Sequence, residues 1–402
     1  MADEVEIERL GAQGDGVAEG GTLFVPNTLP GERVRIVRHG VRAQVHEVLV
    51  RSPERVAPPC PHFGTCGGCA LQHASDPFLA VWKRDMVAAA LASRGIEAPA
   101  IRPTLTAPPA RRRRITVAAR RTKRGAVIGF HAAGSAEIVA VETCAVAEPA
   151  LVAALGRLDE VVGLAASRVG EVRLTLTLTE GGVDVAVSQA RPITGPAQAL
   201  LAGVAARAGI ARLAWNGEEV AVMRAPVVAM GRARVVPPPG GFLQPTAAGE
   251  AALVAAVREA VGGAARVADL YAGSGTFALP LAEGAEVHAV EADASALAAL
   301  DAAWRSAAGL KRITGERRDL ARRALLPAEL KGFEAVVIDP PRAGARLQAE
   351  QLARAQLPRI ASVSCNPATF ARDARTLIDG GWRLEWVQPV DQFRWSPHVE
   401  LV

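Results

Sequence analysis

The stretch RVADLYAGSGTF, residues 266–277, decides the fold class of this chain. An apolar run typical of a buried strand leads into a turn with Gly273 and Gly275, and a helix-prone run follows. Glycines at the carboxyl end of a strand let the backbone approach a bound nucleotide closely. The turn lacks the third glycine of the dinucleotide fingerprint, which favours S-adenosylmethionine over NAD as the ligand.

Further apolar runs alternate with helical patterns after this stretch. Residues 287–291 form a second strand pattern that ends in Glu291, whose carboxylate could bind ribose hydroxyls. Residues 335–338 form another, and Asp339 at its end lies beside the expected nucleotide crevice. Asp319 follows a further possible strand and would either contact the adenine or cap a helix. The alternation predicts an α/β fold with a Rossmann-like parallel sheet.

Two further domains are expected before this one. The sequence PPPGG at 237–241 marks a boundary, so the nucleotide-binding domain should span 237–402. An α+β central domain is expected over 53–236, and an N-terminal OB-like β-barrel over 1–52, where short strand patterns alternate with turns. In the central domain, the patterns predict strands near 127–131, 172–179 and 183–188 and helices near 149–166 and 195–209.

The composition is typical of a globular chain with sizeable hydrophobic cores. Hydrophobic residues make up 50% of the 402 residues and charged residues 22%. No apolar run reaches membrane-spanning length and no basic and apolar leader opens the chain, so we expect a cytoplasmic protein with no membrane partner. The formal net charge of +5 fits a polyanionic partner.

The five cysteines divide into a group of four and a single one. An odd number in a chain without an export signal argues against a disulfide framework. Cys60, Cys66 and Cys69 lie close together among glycines, which let the backbone aim several sulfurs at one point. We expect Cys144 to be the fourth ligand of the same site. Four thiolates suit zinc and an iron–sulfur cluster equally.

Cys365 stands apart, in VSCNP at 363–367. It follows a strand pattern and precedes a helical run over 368–378, where the partial positive charge of a helix N-terminus favours the thiolate. A small buried hydrophobe is the alternative, as for most free cysteines. The nucleotide-type turn, DPPR at 339–342 and HVE at 398–400 favour a reactive thiol.

Four consecutive arginines, Arg111–Arg114, lead into a predicted strand. Such charge runs are commonly only solvated faces of a protein. In a chain with a pI of about 9.2, contact with phosphates is the more specific hypothesis.

Together these motifs resemble the bacterial RNA 5-methyluridine methyltransferases, in particular the branch that acts on 23S ribosomal RNA. The resemblance covers essentially the whole chain and includes FLQ at 242–244. Residues 1–52 are similar to the TRAM domain, an RNA-binding module; a generic oligomerisation barrel is the alternative. The resemblance implies that Cys365 and Glu400 are the catalytic pair. It implies a 4Fe-4S cluster held by Cys60, Cys66, Cys69 and Cys144. The implied S-adenosylmethionine contacts are Gln244, Tyr271, Gly273, Thr276, Glu291, Asp319 and Asp339.

The chain departs from the family pattern at three points. Thr276 stands where the family usually has asparagine, so that cofactor contact is altered. Ala272 replaces a frequent small thiol. Only two residues follow Glu400, so packing must hold this short tail in place.

The resemblance also implies a reaction. The Cys365 thiolate would attack C6 of uracil, C5 would take the methyl group, and Glu400 would remove the C5 proton. The uridine must first be flipped out of stacked RNA. Arg342 replaces the aromatic residue of N-methylating enzymes of this fold, which argues against amine methylation.

The expected substrate is 23S rRNA, bound by a monomer. This expectation relies on tRNA-modifying relatives lacking both the barrel and the cluster. The alternatives are the same reaction on tRNA, or a non-catalytic RNA-binding protein with a vestigial methyltransferase domain. A methyltransferase for a small molecule or a protein is disfavoured by the barrel and the arginine run.

Overall fold

A computed structural model describes residues 3–97, 100–193 and 195–402. The N-terminal part forms a six-stranded sheet in the order β1-β5-β6-β4-β3-β2. Buried side chains from five of its strands meet in one core, in the region where an OB-like barrel is predicted. A short 3₁₀ turn, Glu19–Gly21, interrupts the strands, which are β1 (Asp3–Glu6), β2 (Arg9–Leu10), β3 (Gly16–Ala18), β4 (Leu23–Val25), β5 (Arg33–His39) and β6 (Arg42–Val50).

A second sheet of seven strands forms the centre of the molecule, after helix α1 (Asp76–Ala92) and the short strand β7 (Leu105–Thr106). Its order is β10-β9-β8-β11-β12-β13-β14, antiparallel except between β12 and β13. Three helices pack against it and bury its apolar face. The elements are β8 (Arg114–Arg121), β9 (Ala126–His131), β10 (Ile138–Ala140), α2 (Pro149–Leu155), α3 (Asp159–Ala165), β11 (Glu171–Thr179), β12 (Gly182–Ser188), α4 (Pro196–Ala208), β13 (Arg212–Trp215) and β14 (Glu218–Val222).

These elements confirm the predicted strands and the helix near 195–209. The single helix predicted over 149–166 is wrong, because two helices occupy that range. The first ends at Gly156, a residue with low helix propensity, and the chain turns there. The turn carries Leu158 into the core, where it is fully buried.

The C-terminal part contains the expected parallel sheet, in the order β19-β18-β17-β20-β21. The chain order reverses beside β17, whose neighbours are β18 and β20, and ligands bind at such a switch point. Its elements, with a preceding hairpin, are β15 (Val228–Met230), β16 (Ala233–Val235), α5 (Ala247–Val261), β17 (Arg266–Leu270), α6 (Ala278–Leu281), β18 (Glu286–Glu291), α7 (Ala294–Ser306), β19 (Ile313–Arg317), β20 (Ala335–Ile338), α8 (Arg346–Leu352), β21 (Arg359–Ser362) and α9 (Pro367–Asp379).

A small three-stranded sheet connects the end of the chain to the rest of the molecule. Strand β22 (Pro389–Asp391) pairs antiparallel with β23 (Glu400–Leu401) and parallel with β7. Leu401 also exchanges two backbone hydrogen bonds of 2.9 Å with Ser364, just after β21. The tail after Glu400 is therefore held on both sides. In the described part of the chain, the longest helix is α1, and none could cross a bilayer.

Candidate active site

The glycine turn after β17 has the backbone geometry of a ligand loop. Tyr271 has φ +64°, a conformation that costs about 1 kcal/mol or more for a non-glycine residue. Gly273 and Gly275 follow with φ +55° and +103°. A Cβ atom on Gly275 would lie 2.7 Å from Leu279 Cδ1, so a side chain at this position would clash. Thr276 is half-buried in the same turn.

Carboxyl groups surround this turn. Glu291 accepts hydrogen bonds from the Gly273 backbone N–H at 2.9 Å and from two further amides. A carboxylate has about four acceptor sites, so Glu291 can still accept from a ligand hydroxyl. Burial raises the pKa of Asp339 to about 7. Burial and the nearby Asp339 raise the pKa of Asp269. A crevice in which carboxyl groups repel one another favours a cationic ligand.

Asp319 follows β19, but a turn rather than a helix comes after it, so the helix cap expected as its alternative role is wrong. Its Oδ1 accepts from the Ala321 backbone N–H at 3.0 Å, and its Oδ2 lies 3.4 Å from Arg322. The side chain also faces Tyr271, where burial and then Asp319 raise the pKa of the phenol to about 12. Asp319 thus caps a turn at the rim of the crevice.

The two expected catalytic residues lie near each other. Ser364 and Leu401 form a single antiparallel bridge, with Cys365 directly after Ser364 and Glu400 directly before Leu401. Glu400 is only 4% exposed, whereas Cys365 is half-buried at the edge of the crevice. Asp339, at the end of the neighbouring β20, affects the pKa of both groups.

The expectation that the helix N-terminus favours a Cys365 thiolate is wrong for the free protein. Burial and the carboxyl groups of Glu400 and Asp339 raise the pKa of the thiol to about 11. The Asn366 side chain caps α9 by accepting from Ala368 N–H at 3.1 Å, so that amide is already satisfied. A helix terminus is worth about 0.3–1 kcal/mol, less than about one pKa unit, and desolvation outweighs it.

The pKa of the Glu400 carboxyl group is also raised. Burial and then Asp339 raise its pKa to about 8, and the Gln392 side chain acts in the opposite direction. The free protein therefore holds Glu400 largely protonated at neutral pH. His398, two residues earlier, packs edge-on against Phe393 with ring centres 5.7 Å apart.

Gln244 is buried behind the crevice, 1% exposed. Its Oε1 accepts from Gln392 Nε2 at 2.6 Å, and its backbone oxygen accepts from Arg113 Nε at 3.1 Å. The arginine also forms an ion pair of 2.6 Å with Glu250 of α5. Sequence reasoning missed both partners. The run WVQPVDQF at 386–393 carries three polar residues, so no local pattern singles out Gln392.

Three of the four arginines at 111–114 hydrogen-bond to other groups of the protein. This corrects the hypothesis that the run as a whole contacts phosphates. Arg114 donates to the backbone oxygens of Gly240 and Gly241, and Arg112 donates to that of Arg114. Arg113 makes the contacts given above. Only Arg111 of the four has a largely exposed side chain, 64%, and it lies 3.8 Å from Glu148. These arginines join the central sheet to the segment before α5.

The four N-terminal cysteines line one cavity of about 250 Å³, together with Arg112 and Arg114. Within the residues that the structure describes, no three Cys, His, Asp or Glu side chains are grouped closely enough to hold a single metal ion. Both arginines are largely buried there, and burial lowers their pKa. Across 3–97, 100–193 and 195–402, neither guanidinium lies within 4.0 Å of a carboxylate. The cavity thus combines thiols with positive charge.

A five-stranded parallel sheet with a glycine turn and acidic strand ends defines an S-adenosylmethionine-dependent methyltransferase fold. A family model described as tRNA (Uracil-5-)-methyltransferase matches residues 232–402. An uncharacterized RNA methyltransferase of Mesorhizobium japonicum is 46% identical, over 100% of this chain and 97% of its own. The 23S rRNA (uracil(1939)-C(5))-methyltransferase RlmD of Halomonas elongata is 36% identical, over 99% and 88%. The chain belongs to the RNA uracil-C5 methyltransferase family.

A solved structure matches the whole architecture. The tRNA (uracil-54, C5)-methyltransferase of Pyrococcus abyssi, in complex with S-adenosyl-L-homocysteine, aligns with a TM-score of 0.77 and 25% identity. The match covers 99% of this chain and 98% of that one. The protein is therefore an S-adenosylmethionine-dependent RNA (uracil-C5) methyltransferase, and the alternative of a non-catalytic protein is set aside. The expectation that tRNA-modifying relatives lack the barrel is wrong for this one, since its match includes that region.

Proposed function

We propose that this protein methylates C5 of one uridine in RNA through a covalent bond between Cys365 and C6, which Glu400 helps to break. The observation that carries the proposal is the Ser364–Leu401 bridge. It joins the segment of Cys365 to that of the buried Glu400, and Asp339 affects the pKa of both groups. This arrangement supports a nucleophile and a base that act in one crevice.

The chemistry explains why both groups are needed. Uracil C5 is a weak nucleophile. Once the Cys365 thiol has lost its proton to solvent, addition of the thiolate to C6 makes C5 an enolate-type carbon that takes the methyl group. Glu400 then removes the C5 proton, the C5–C6 double bond re-forms, and the sulfur leaves as a thiolate. S-adenosylmethionine supplies the methyl group and a positive charge at its sulfonium. The uridine must be flipped out of its stack to reach this crevice.

The cofactor contacts are proposed for the residues that surround the crevice. Burial raises the pKa of both Asp339 and Glu400, which supports a cationic ligand, because a cation would stabilise both carboxylates. The remaining contacts are assigned by position in the fold: Gln244, Tyr271, Gly273, Thr276, Glu291 and Asp319.

The N-terminal cysteines are proposed to hold a 4Fe-4S cluster. The four thiols line one cavity, and four thiolates suit zinc and an iron–sulfur cluster equally on chemistry alone. The family resemblance favours the cluster. An anionic cluster would also neutralise Arg112 and Arg114, because buried cations without a counter-charge are costly. We assign Cys60, Cys66, Cys69 and Cys144 as its ligands.

The proposed substrate is 23S rRNA, recognised in part by the N-terminal barrel acting as a TRAM-like module. The RlmD relative, similar over 99% of this chain, supports this choice. The Pyrococcus abyssi tRNA enzyme makes tRNA the alternative.

Mass mapping of 5-methyluridine in both RNAs, from cells with and without this chain, tests the choice. A modified 23S rRNA site that disappears with the chain is expected. Loss of a tRNA site alone would contradict the rRNA assignment.

A further inference from the structure

Gln392 is a buried amide that the reaction above does not use. It is 1% exposed and directly follows β22. Its Nε2 donates to Gln244 Oε1 at 2.6 Å, and its side chain lies near enough to Glu400 to lower the pKa of that carboxyl group. Val390, two residues earlier on β22, pairs with Glu400. Gln392 thus lies between a proposed cofactor contact and the proposed base.

Both neighbours of Gln392 are fixed by a buried lysine of α1. Lys83 Nζ lies 2.6 Å from Asp391 Oδ1 and donates to the Phe393 backbone oxygen at 3.2 Å. The same Asp391 oxygen accepts from Phe393 N–H at 3.0 Å. Lys83 is 0% exposed, and removing one partner of such a buried pair is strongly destabilising. The backbone that carries Gln392 is therefore held rigidly.

The donor and acceptor count shows what this amide does. A primary amide has two N–H donors and one acceptor oxygen. With Gln244 Oε1 occupied by Gln392, the Gln244 amide has its two donors left for a ligand. The Gln392 nitrogen has one further hydrogen that the bond to Gln244 does not use. Gln392 Oε1 is buried without a hydrogen-bond partner among the described residues.

We propose that Gln392 is a positioning residue that couples the cofactor site to the base. One N–H turns the Gln244 amide so that its donors face an acceptor on S-adenosylmethionine, such as its carboxylate. The other N–H holds the Glu400 carboxylate where the C5 proton leaves. The inference rests on the proposed function, in which Gln244 binds the cofactor and Glu400 is the base.

The contact has a defined electrostatic consequence. The titratable groups that face Glu400 are Asp339 at the end of β20 and Cys365 after β21, and neither stabilises its carboxylate. Asp391, next to Gln392, is neutralised by Lys83. Loss of the Gln392 donor should therefore raise the pKa of Glu400 further, and proton removal should require a higher pH.

The test compares Gln392→Met with Gln388→Met in the full-length protein. Gln388 is also buried beside β22, but its amide donates to the backbone oxygens of Pro103 and Pro389. Binding of S-adenosylmethionine is measured by calorimetry, and turnover against pH is measured on ribosomal RNA from cells that lack the chain. Gln392→Met should bind the cofactor about tenfold more weakly, and the rising limb of its turnover–pH profile should shift to higher pH. Gln388→Met should change neither.

A folded Gln392→Met protein with wild-type affinity and pH profile would overturn the proposal. If that variant does not fold, Gln392→Asn retains the amide but is one methylene too short, and the same two results are expected of it. Glu400→Gln is measured in parallel. If it turns over normally, the base assignment is wrong and the cofactor affinity alone decides the role of Gln392.

Discussion

At the scale of single residues, Glu400 combines burial with the charge that the proposed reaction would require. Its pKa is raised to about 8, so the folded protein binds this proton more tightly than the unfolded chain, for which the value is about 4.3. The stability from this group is fully present below about pH 4.3. It is lost as pH rises through about 8.

We expect the melting temperature of the cofactor-free protein to fall between about pH 6 and pH 9, and to fall less for Glu400→Gln, which cannot ionise. Thermal denaturation followed by circular dichroism measures both slopes. Asp339 lowers the melting temperature with rising pH in both proteins. The difference between the two slopes of melting temperature against pH therefore isolates Glu400. Equal slopes would show that Glu400 is ionised in the free protein.

Cofactor affinity should depend on the ionisation of the same carboxyl groups, Asp339 and Glu400. A sulfonium cation favours ionised carboxylates, so S-adenosylmethionine should bind more tightly as pH rises from about 6 to about 9. S-adenosyl-L-homocysteine lacks that charge and should show a weaker dependence. Calorimetry with both ligands tests this, and identical pH dependences would remove the electrostatic role from Asp339 and Glu400.

At the scale of elements, the start of β8 connects the central sheet to the cofactor crevice. Arg113 reaches both Gln244 and Glu250, residues 131 and 137 positions away along the chain. Arg111, two residues earlier, is exposed instead. The two arginines therefore provide a matched pair that separates folding from RNA binding.

We expect Arg113→Ala to lose roughly 3 kcal/mol of stability and to bind S-adenosylmethionine more weakly, because it leaves Glu250 buried without its partner. Arg111→Ala should keep both properties. If Arg111 contacts phosphate, its loss makes the slope of log affinity for RNA against log salt concentration shallower by about one unit. Chemical denaturation and filter binding at several salt concentrations measure these effects. The reverse assignment of the two phenotypes would contradict the contacts described.

Sequence patterns predicted elements better than contacts between them. The parallel sheet and its glycine turn were predictable because strand periodicity and glycine requirements are local. The contact of Gln392 with Gln244 joins residues 148 positions apart, and no local pattern encodes it. The protonation of Cys365 was predicted with the wrong sign, since helix position is visible in sequence whereas desolvation depends on the tertiary fold.

At the scale of the whole molecule, the segment that follows Cys69 directly contacts the segment that precedes Glu400. The backbone amides of Ala70 and Leu71 donate to the Trp395 oxygen at 2.9 and 3.0 Å. Arg112, which lines the cysteine cavity, stacks over Phe393 at 5.3 Å. A cluster in this cavity would therefore stabilise the segment that carries Glu400.

We expect anaerobically purified protein to contain iron and sulfide, and Cys144→Ser to lose both and to become sensitive to proteolysis near residues 53–75. Cys365→Ser, outside the cavity, should retain the iron. Metal and sulfide analysis with limited proteolysis measures these outcomes. Stoichiometric zinc without iron in the wild-type protein would contradict the cluster assignment.

The covalent step is tested most directly by trapping. Each variant is incubated with ribosomal RNA and S-adenosylmethionine labelled on the methyl group, and the products are separated by denaturing electrophoresis. Glu400→Gln can still attack C6 and methylate C5, but it cannot remove the C5 proton, so a labelled protein–RNA adduct should accumulate. Cys365→Ala should form no adduct and no product. Turnover by Cys365→Ala would contradict the mechanism and return Cys365 to the role of a buried structural cysteine.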